Sequence, residues 1–134
     1  TYLRHATNVE AVRTLSEITL DYKTAVESTR DKAGKTHMLG SAPPVPSKVP
    51  RGVAVKVEDA DWMAPTWQAI GFHPRRMVHY QYAIEAARDG KKATLIARGD
   101  LDGDGDVSTF SIVVTLNTKG ELVVGPLTKV KPLE

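Results

Sequence analysis

Four aspartates stand at alternate positions in Asp100-Leu101-Asp102-Gly103-Asp104-Gly105-Asp106, a run followed by Val107-Ser108-Thr109-Phe110. Carboxylates this close repel one another: each neighbouring pair at ~6 Å costs roughly 0.7 kcal/mol in water, and more near a protein surface. Only Arg98 stands close by in sequence to offset them. Gly103 and Gly105 let the backbone curl until the oxygens converge, and a hard, oxygen-seeking cation, usually Ca²⁺, is the simplest way to make that curl favourable. Counted from Asp100, the run matches an EF-hand loop at its first, third, fifth, seventh and ninth positions, with glycine at the sixth. The twelfth position carries Ser111 where that loop requires a bidentate glutamate, and strand-like sequence flanks the run. The expected site is therefore Asp100, Asp102, Asp104, Asp106 and Ser108 in a β-loop-β hairpin, similar to integrin-type DxDGDG repeats. It would hold a structural Ca²⁺ weakly, as suits millimolar extracellular calcium. The alternative is an Asp-Gly-rich turn with no ion.

Other chemistry is sparse. His5, His37, His73 and His79 show no metal-ligand spacing, and His79 lies on the less apolar side of its strand, where exposure is expected. The absence of cysteine excludes disulfides, thiol nucleophiles and thiolate metal sites. No GxSxG, P-loop or GxGxxG occurs, and the dense acids fall in one strand-connecting loop, so no enzymatic activity is expected. The net charge is +2, and the basic residues fall in scattered pairs (Arg75-Arg76, Lys91-Lys92, Lys129 and Lys131), which is no nucleic-acid-binding stripe. Nucleic acid is not an expected partner.

An apolar content of 41% and a charged content of 25% are those of a soluble globular chain, and 134 residues suit one domain with a real core. No stretch approaches the ~20 apolar residues of a membrane span, and no signal-peptide pattern occurs. The chain opens at Thr1, without an initiator Met and directly in helix-like sequence. A processed or truncated product is expected, with a targeting or anchoring segment missing.

The elements that must position these residues follow from periodicity. Residues 1–30 hold no Gly or Pro, and Ala11, Val12, Leu15, Ile18, Tyr22, Ala25 and Val26 fall within an arc of roughly 140° at 100° per residue. This predicts a long amphipathic helix, ended by Asp31-Lys32-Ala33-Gly34-Lys35. A second apolar group, Tyr2, Leu3, Ala6, Val9 and Leu20, lies on the opposite side. Either these are ordinary exposed residues, or they meet other subunits. Residues 31–75 read as a long irregular loop: Ser41-Ala-Pro-Pro-Val-Pro-Ser-Lys-Val-Pro50 forbids helix and disfavours a central strand. Within it, Asp61 to Phe72 gives one or two helical turns whose Trp62, Trp67, Ile70 and Phe72 are expected to anchor the loop to the core.

From residue 76 the period becomes two. One strand places Val78, Tyr80, Tyr82, Ile84 and Ala86 on a single side. Asp89-Gly90 turns it into Ala93 to Arg98. A third strand carries Phe110, Ile112, Val114 and Leu116, and Asn117 to Gly120 turns into Glu121 to Val124, ended by Gly125-Pro126. The expected fold is α+β, a long N-terminal helix packed on a four-stranded antiparallel meander.

This order of parts resembles the globular domain of a type IV pilin or pilin-like protein (minor pilin or pseudopilin). Tyr2-Leu3-Arg4 opens the helix, Asp61 to Phe72 looks like the "W…LGF" segment of deltaproteobacterial pilin-like proteins, Tyr80-Gln81-Tyr82 matches their "YxY" strand, and Gly99 to Gly105 with Ser108-Thr109-Phe110 matches "GDLDGDG…STF". The resemblance implies a prepilin whose hydrophobic half-helix, cleaved at its leader and N-methylated, anchors the subunit in the inner membrane and then forms a filament core. It implies other pilin-like subunits as partners, with Tyr2, Leu3, Ala6, Val9 and Leu20 as filament contacts. It also implies an extracellular filament, or a membrane-anchored ectodomain in the periplasm before assembly, serving motility, adhesion or secretion. The chain departs from many pilins in lacking the C-terminal cysteine pair, for which a structural Ca²⁺ between strands, as in major pseudopilins, is one substitute. The alternative from a different class is a soluble, secreted, calcium-dependent binding module with no filament role.

Overall fold

The structure is a computed structural model and describes residues 2–72, 76–100, 103, 105 and 107–130, with side chains described from Val9 onward. Helix α1 spans Tyr2–Glu27, 26 residues. The strands that follow are β1 (Ala42–Val45), β2 (Val55–Lys56), β3 (Met77–Val78), β4 (Gln81–Ala86), β5 (Lys92–Gly99), β6 (Ser108–Leu116) and β7 (Leu122–Val130). A 3-10 turn at Asp59–Trp62 and a short helix α2 at Pro65–Ile70 lie between β2 and β3. The fold is α+β. One sheet has five strands in the order β1-β4-β5-β6-β7, all neighbours antiparallel, and β2 with β3 forms a separate pair.

The predicted apolar stripe is the buried face of α1. Ala11, Leu15, Ile18, Tyr22 and Val26 are at most 1% exposed, and Val12 and Ala25 pack at the margin. They meet the inward residues of the sheet: Tyr82 and Ile84 of β4, Ala93, Leu95 and Ala97 of β5, Phe110, Ile112 and Val114 of β6. Burial of each large aliphatic side chain stabilises the fold by about 1.5–3 kcal/mol relative to exposure. The helix ends at Glu27, short of residue 30, and Gly34 belongs to a separate turn. There the Asp31 carboxylate accepts the Ala33 and Lys35 amides, each at 2.9 Å. Those bonds hold the Asp31 carboxyl below its ordinary pKa.

The expectation of four strands is corrected to five. The proline-rich segment supplies the extra one, and its place at the edge explains how it tolerates prolines. In β1 the buried residues are Ala42 and Val45, while Pro43 and Pro44 face out, where an edge strand lacks no ladder bond for want of an N–H. The pairing Ala42↔Ile84 and Val45↔Tyr82 takes three steps along β1 against two along β4, a bulge. Residues 31–75 are thus not a plain loop. Their aromatic residues are buried, as expected: Trp62, Trp67 and Phe72 are at most 3% exposed, with Trp62 edge-on to both others. Trp67 Nε1 donates to the Pro43 carbonyl at 2.9 Å, tying α2 to β1.

Two further boundaries differ. The strand expected from residue 76 breaks at His79-Tyr80, so that β3 pairs with β2 and β4 with β1 and β5. Its second side is buried only in the middle: Gln81 and Ala83 are at most 6% exposed, while Met77 and Glu85 are exposed. The last strand does not stop at Gly125-Pro126. It runs on to Val130, with an irregularity opposite Val113 that absorbs the mismatch.

The break at Tyr80 requires a glycine across from it. A Cβ on Gly99 would lie 2.8 Å from two Tyr80 ring carbons and 3.0 Å from the His79 carbonyl. Tyr80, fully buried and edge-on to Phe110 at 5.8 Å, cannot retreat without opening the core. Gly99→Ala is expected to lower stability by about 1–3 kcal/mol through overpacking. A urea unfolding midpoint equal to the parent's would refute this account.

Candidate functional site

Of the five residues expected to hold calcium, Asp102, Asp104 and Asp106 lie outside the described residues. Asp100 and Ser108 are described, and both are buried, at 1% and 0% exposed. They sit at the base of the turn, where the last β5–β6 pair is Gly99↔Ser108. Gly103 and Gly105 both take positive φ, at 73° and 94°, so the backbone curls as the sequence demands. Gly105 donates its N–H to Asp100 Oδ2 at 2.8 Å, closing the turn from within.

The cation on Asp100 comes from far away in sequence. Arg51 Nε lies 3.3 Å from Asp100 Oδ2, and Arg51 Nη2 donates to the Gly103 carbonyl at 3.4 Å. The backbone makes the same crossing. Asp100 N–H donates to Pro50 O at 3.1 Å and Gly52 N–H to Asp100 O at 2.6 Å, a parallel bridge between Arg51 and Asp100. This follows from topology. Since β1 and β5 are both antiparallel to β4, they run parallel, and the chain beyond β1 meets β5 where β4 has not yet begun.

A calcium ion needs six to eight oxygens. Among the described residues, no three Asp, Glu, His or Cys side chains converge to hold a metal. Asp100 Oδ2 is instead engaged by an amide and a guanidinium. The described part of the turn therefore does not by itself make a calcium shell.

A second, partly buried carboxylate went unread in the sequence. Glu10 of α1 is 13% exposed at its side chain and accepts three groups from the start of β4. Tyr82 hydroxyl donates to Oε2 at 2.6 Å, His79 N–H lies 3.2 Å from Oε1, and His79 Nδ1 stands 3.0 Å from the same oxygen. The expectation that His79 is simply exposed is thus corrected: its side chain is 36% exposed and its ring is held on the helix. Burial first, and then the Glu10 carboxylate, push the Tyr82 phenol well above the ordinary tyrosine value. The only signal in the sequence was position. At 100° per residue Glu10 lies about 60° beyond the edge of the apolar stripe, where exposure and burial are equally compatible.

The outer face of α1 is the remaining expected site. Val9 is 52% exposed and Leu20 66% exposed, while the side chains of Tyr2, Leu3 and Ala6 lie outside the described residues. Around them the hydroxyls are satisfied within the helix: Ser16, Thr24 and Ser28 donate to the carbonyls of Val12, Leu20 and Thr24 at 2.7–3.0 Å. Such a face can be covered without stranding a hydroxyl. Among the described residues no helix is long and apolar enough to cross a membrane. No protein-family model, no curated protein and no solved structure matches the chain.

Glu10→Ala leaves the Tyr82 hydroxyl and the His79 amide without their acceptor, and a loss of roughly 2–5 kcal/mol is expected. The Tyr82 phenol gives a pH signature. Its pKa is raised in the fold, so it contributes stability in full below the unfolded value of about 10. That contribution is lost as pH rises above it, by up to about 1.4 kcal/mol per pH unit. Tyr82→Phe is expected to flatten the fall in urea-measured stability between about pH 10 and 12; an unchanged slope would remove Tyr82 as its source.

Proposed function

We propose that the protein is a structural subunit of a type IV pilin-like filament, whose α1 carries two working faces. One face holds the globular fold and the other meets neighbouring subunits. The observation that carries this reading is the division of α1 itself. Its stripe from Ala11 to Val26 packs on the sheet and on α2, while Val9 and Leu20 stay in water among hydroxyls already bonded to the helix backbone.

Physical economy supports the reading. Two large aliphatic side chains held in solvent each forgo about 1.5–3 kcal/mol of burial, a deficit that a covering subunit removes. Where the Val9 end of one helix face meets the Leu20 end of the next subunit's, the contact is heterologous and propagates head to tail into an open filament. Tyr2, Leu3 and Ala6 extend the contact toward the membrane-proximal end. The partners are other pilin-like subunits, and the inner membrane through a preceding hydrophobic segment. The location is an extracellular filament, or the periplasmic face of the inner membrane before assembly. In this role the acidic turn serves the stability of the domain, and the chain performs no catalysis.

Cysteine cross-linking of the full-length gene product in its native membranes tests the proposal. Val9→Cys and Leu20→Cys, combined in one chain whose residues 1–134 hold no other thiol, are expected to pair across successive subunits and give a ladder of oligomers on oxidation. Thr118→Cys, in the β6–β7 turn and exposed, serves as the control and should give none. Monomers alone from the double variant, with the domain folded, would sink the filament reading in favour of a soluble binding module.

A further inference from the structure

The acidic turn invites a metal ion, yet the structure already puts a cation on its buried member. We propose that Arg51 is the resident cation of this turn, closing the Asp100 corner without a divalent ion. The inference is independent of the filament reading.

Asp100 is 1% exposed, and a buried carboxylate is tolerated only when charge and hydrogen bonds compensate its lost hydration. Arg51 supplies the charge from the solvent side, its own side chain remaining 64% exposed. Its fork spans the turn, from Asp100 Oδ2 at 3.3 Å to the Gly103 carbonyl at 3.4 Å. Nη2 also lies 3.9 Å from the point where Gly105 would carry a Cβ, so the guanidinium covers the curl on that side as well. A planar guanidinium can bond both acceptors at once, which a lysine ammonium, as a single point charge, does poorly.

Delivery of this cation does not depend on a flexible reach. The main chain on either side of Arg51 is bonded to the main chain of Asp100, through Pro50 O and Gly52 N. The side chain therefore starts from a fixed point directly beside its target. That lowers the entropy lost on pairing, and it distinguishes this contact from the mobile surface ion pairs that contribute little. It also sets a competition. A divalent ion approaching Asp100 Oδ2 meets a positive charge 3.3 Å from that oxygen and must repel or displace it before it can bind there. While Arg51 is in place, Asp100 Oδ2 is thus a poor ligand for calcium.

The test compares the parent chain with Arg51→Met and Arg51→Lys, in EDTA and in millimolar Ca²⁺. In EDTA, Arg51→Met is expected to lower Tm by roughly 3–8 °C. It should also speed hydrogen exchange at the Gly52 and Asp100 amides by about tenfold or more, through local opening of the corner. The Leu95 amide, inside the β5 ladder, should show only the global change. Arg51→Lys should recover part of the loss, and the parent should melt alike in EDTA and in Ca²⁺. Two results would overturn the proposal. One is a parent Tm that falls in EDTA by as much as the Met substitution costs, which would make a metal the closing cation. The other is an Arg51→Met chain that matches the parent in EDTA in both Tm and exchange.

Discussion

The inward side chains of β4, β5 and β6 have one long surface to bury against, the apolar stripe of α1. Leu15, Ile18 and Tyr22 of the helix and Tyr82, Leu95 and Phe110 of the sheet are all at most 1% exposed, so the contact is dry along its length. The rest of the structure is arranged around it. The Trp62–Trp67–Phe72 cluster extends the same core under the proline-rich edge, and Trp67 holds that edge through its indole N–H. A small domain without disulfides has little else to draw on, because a core of this size stabilises by a narrow margin over the entropy of ordering the chain.

Two carboxylates, Asp100 buried and Glu10 partly buried, then fix how the layers meet. Glu10 joins the helix to the point where β4 begins, and Asp100 joins the end of β5 to the segment that follows β1. Both work in the same way. A single acidic group, removed from water, collects donors from parts of the chain 49 to 72 positions away. A carboxylate placed like this does more for uniqueness than for raw stability, since any other arrangement leaves a charge buried without donors. Val9, immediately before Glu10 on the helix, is exposed. The network with His79 and Tyr82 therefore fixes α1 at Glu10 against the start of β4.

The two edges of the five-stranded sheet are blunted by different means. On β1 it is Pro43, Pro44 and a bulge; on β7 it is Pro126, Lys129 and the irregularity near Val113. Prolines remove donors and bulges twist a strand away from a partner, which discourages edge-to-edge pairing. The β7 edge nonetheless leaves Val123, Val124 and Val130 exposed. The acidic turn lies apart from the outer face of α1 in role: its buried base is occupied with holding two distant segments of chain together.

Periodicity alone determined the parts of this protein that depend on local pattern. The 3.6-residue stripe from Ala11 to Val26 named the buried face of α1. The two-residue alternation named the core side of β4 and β6, and Asp89-Gly90 and Asn117 to Gly120 named the turns between strands. The aspartate-glycine run announced a curled turn, and Gly103 and Gly105 take the positive φ that it implied. What the sequence left unread is what depends on contacts far apart along the chain. Proline-rich Ala42–Val45 becomes a strand because β4 offers it an edge where prolines lose nothing. Glu10 is partly buried because Tyr82 and His79 arrive to bond it. Asp100 faces Arg51, not the nearer Arg98, because a crossing of main chains sets residue 51 beside it. Local spacing reports which side of an element is apolar; only the tertiary structure decides which distant donor meets a buried charge, because that choice is made by the topology that brings the two segments together.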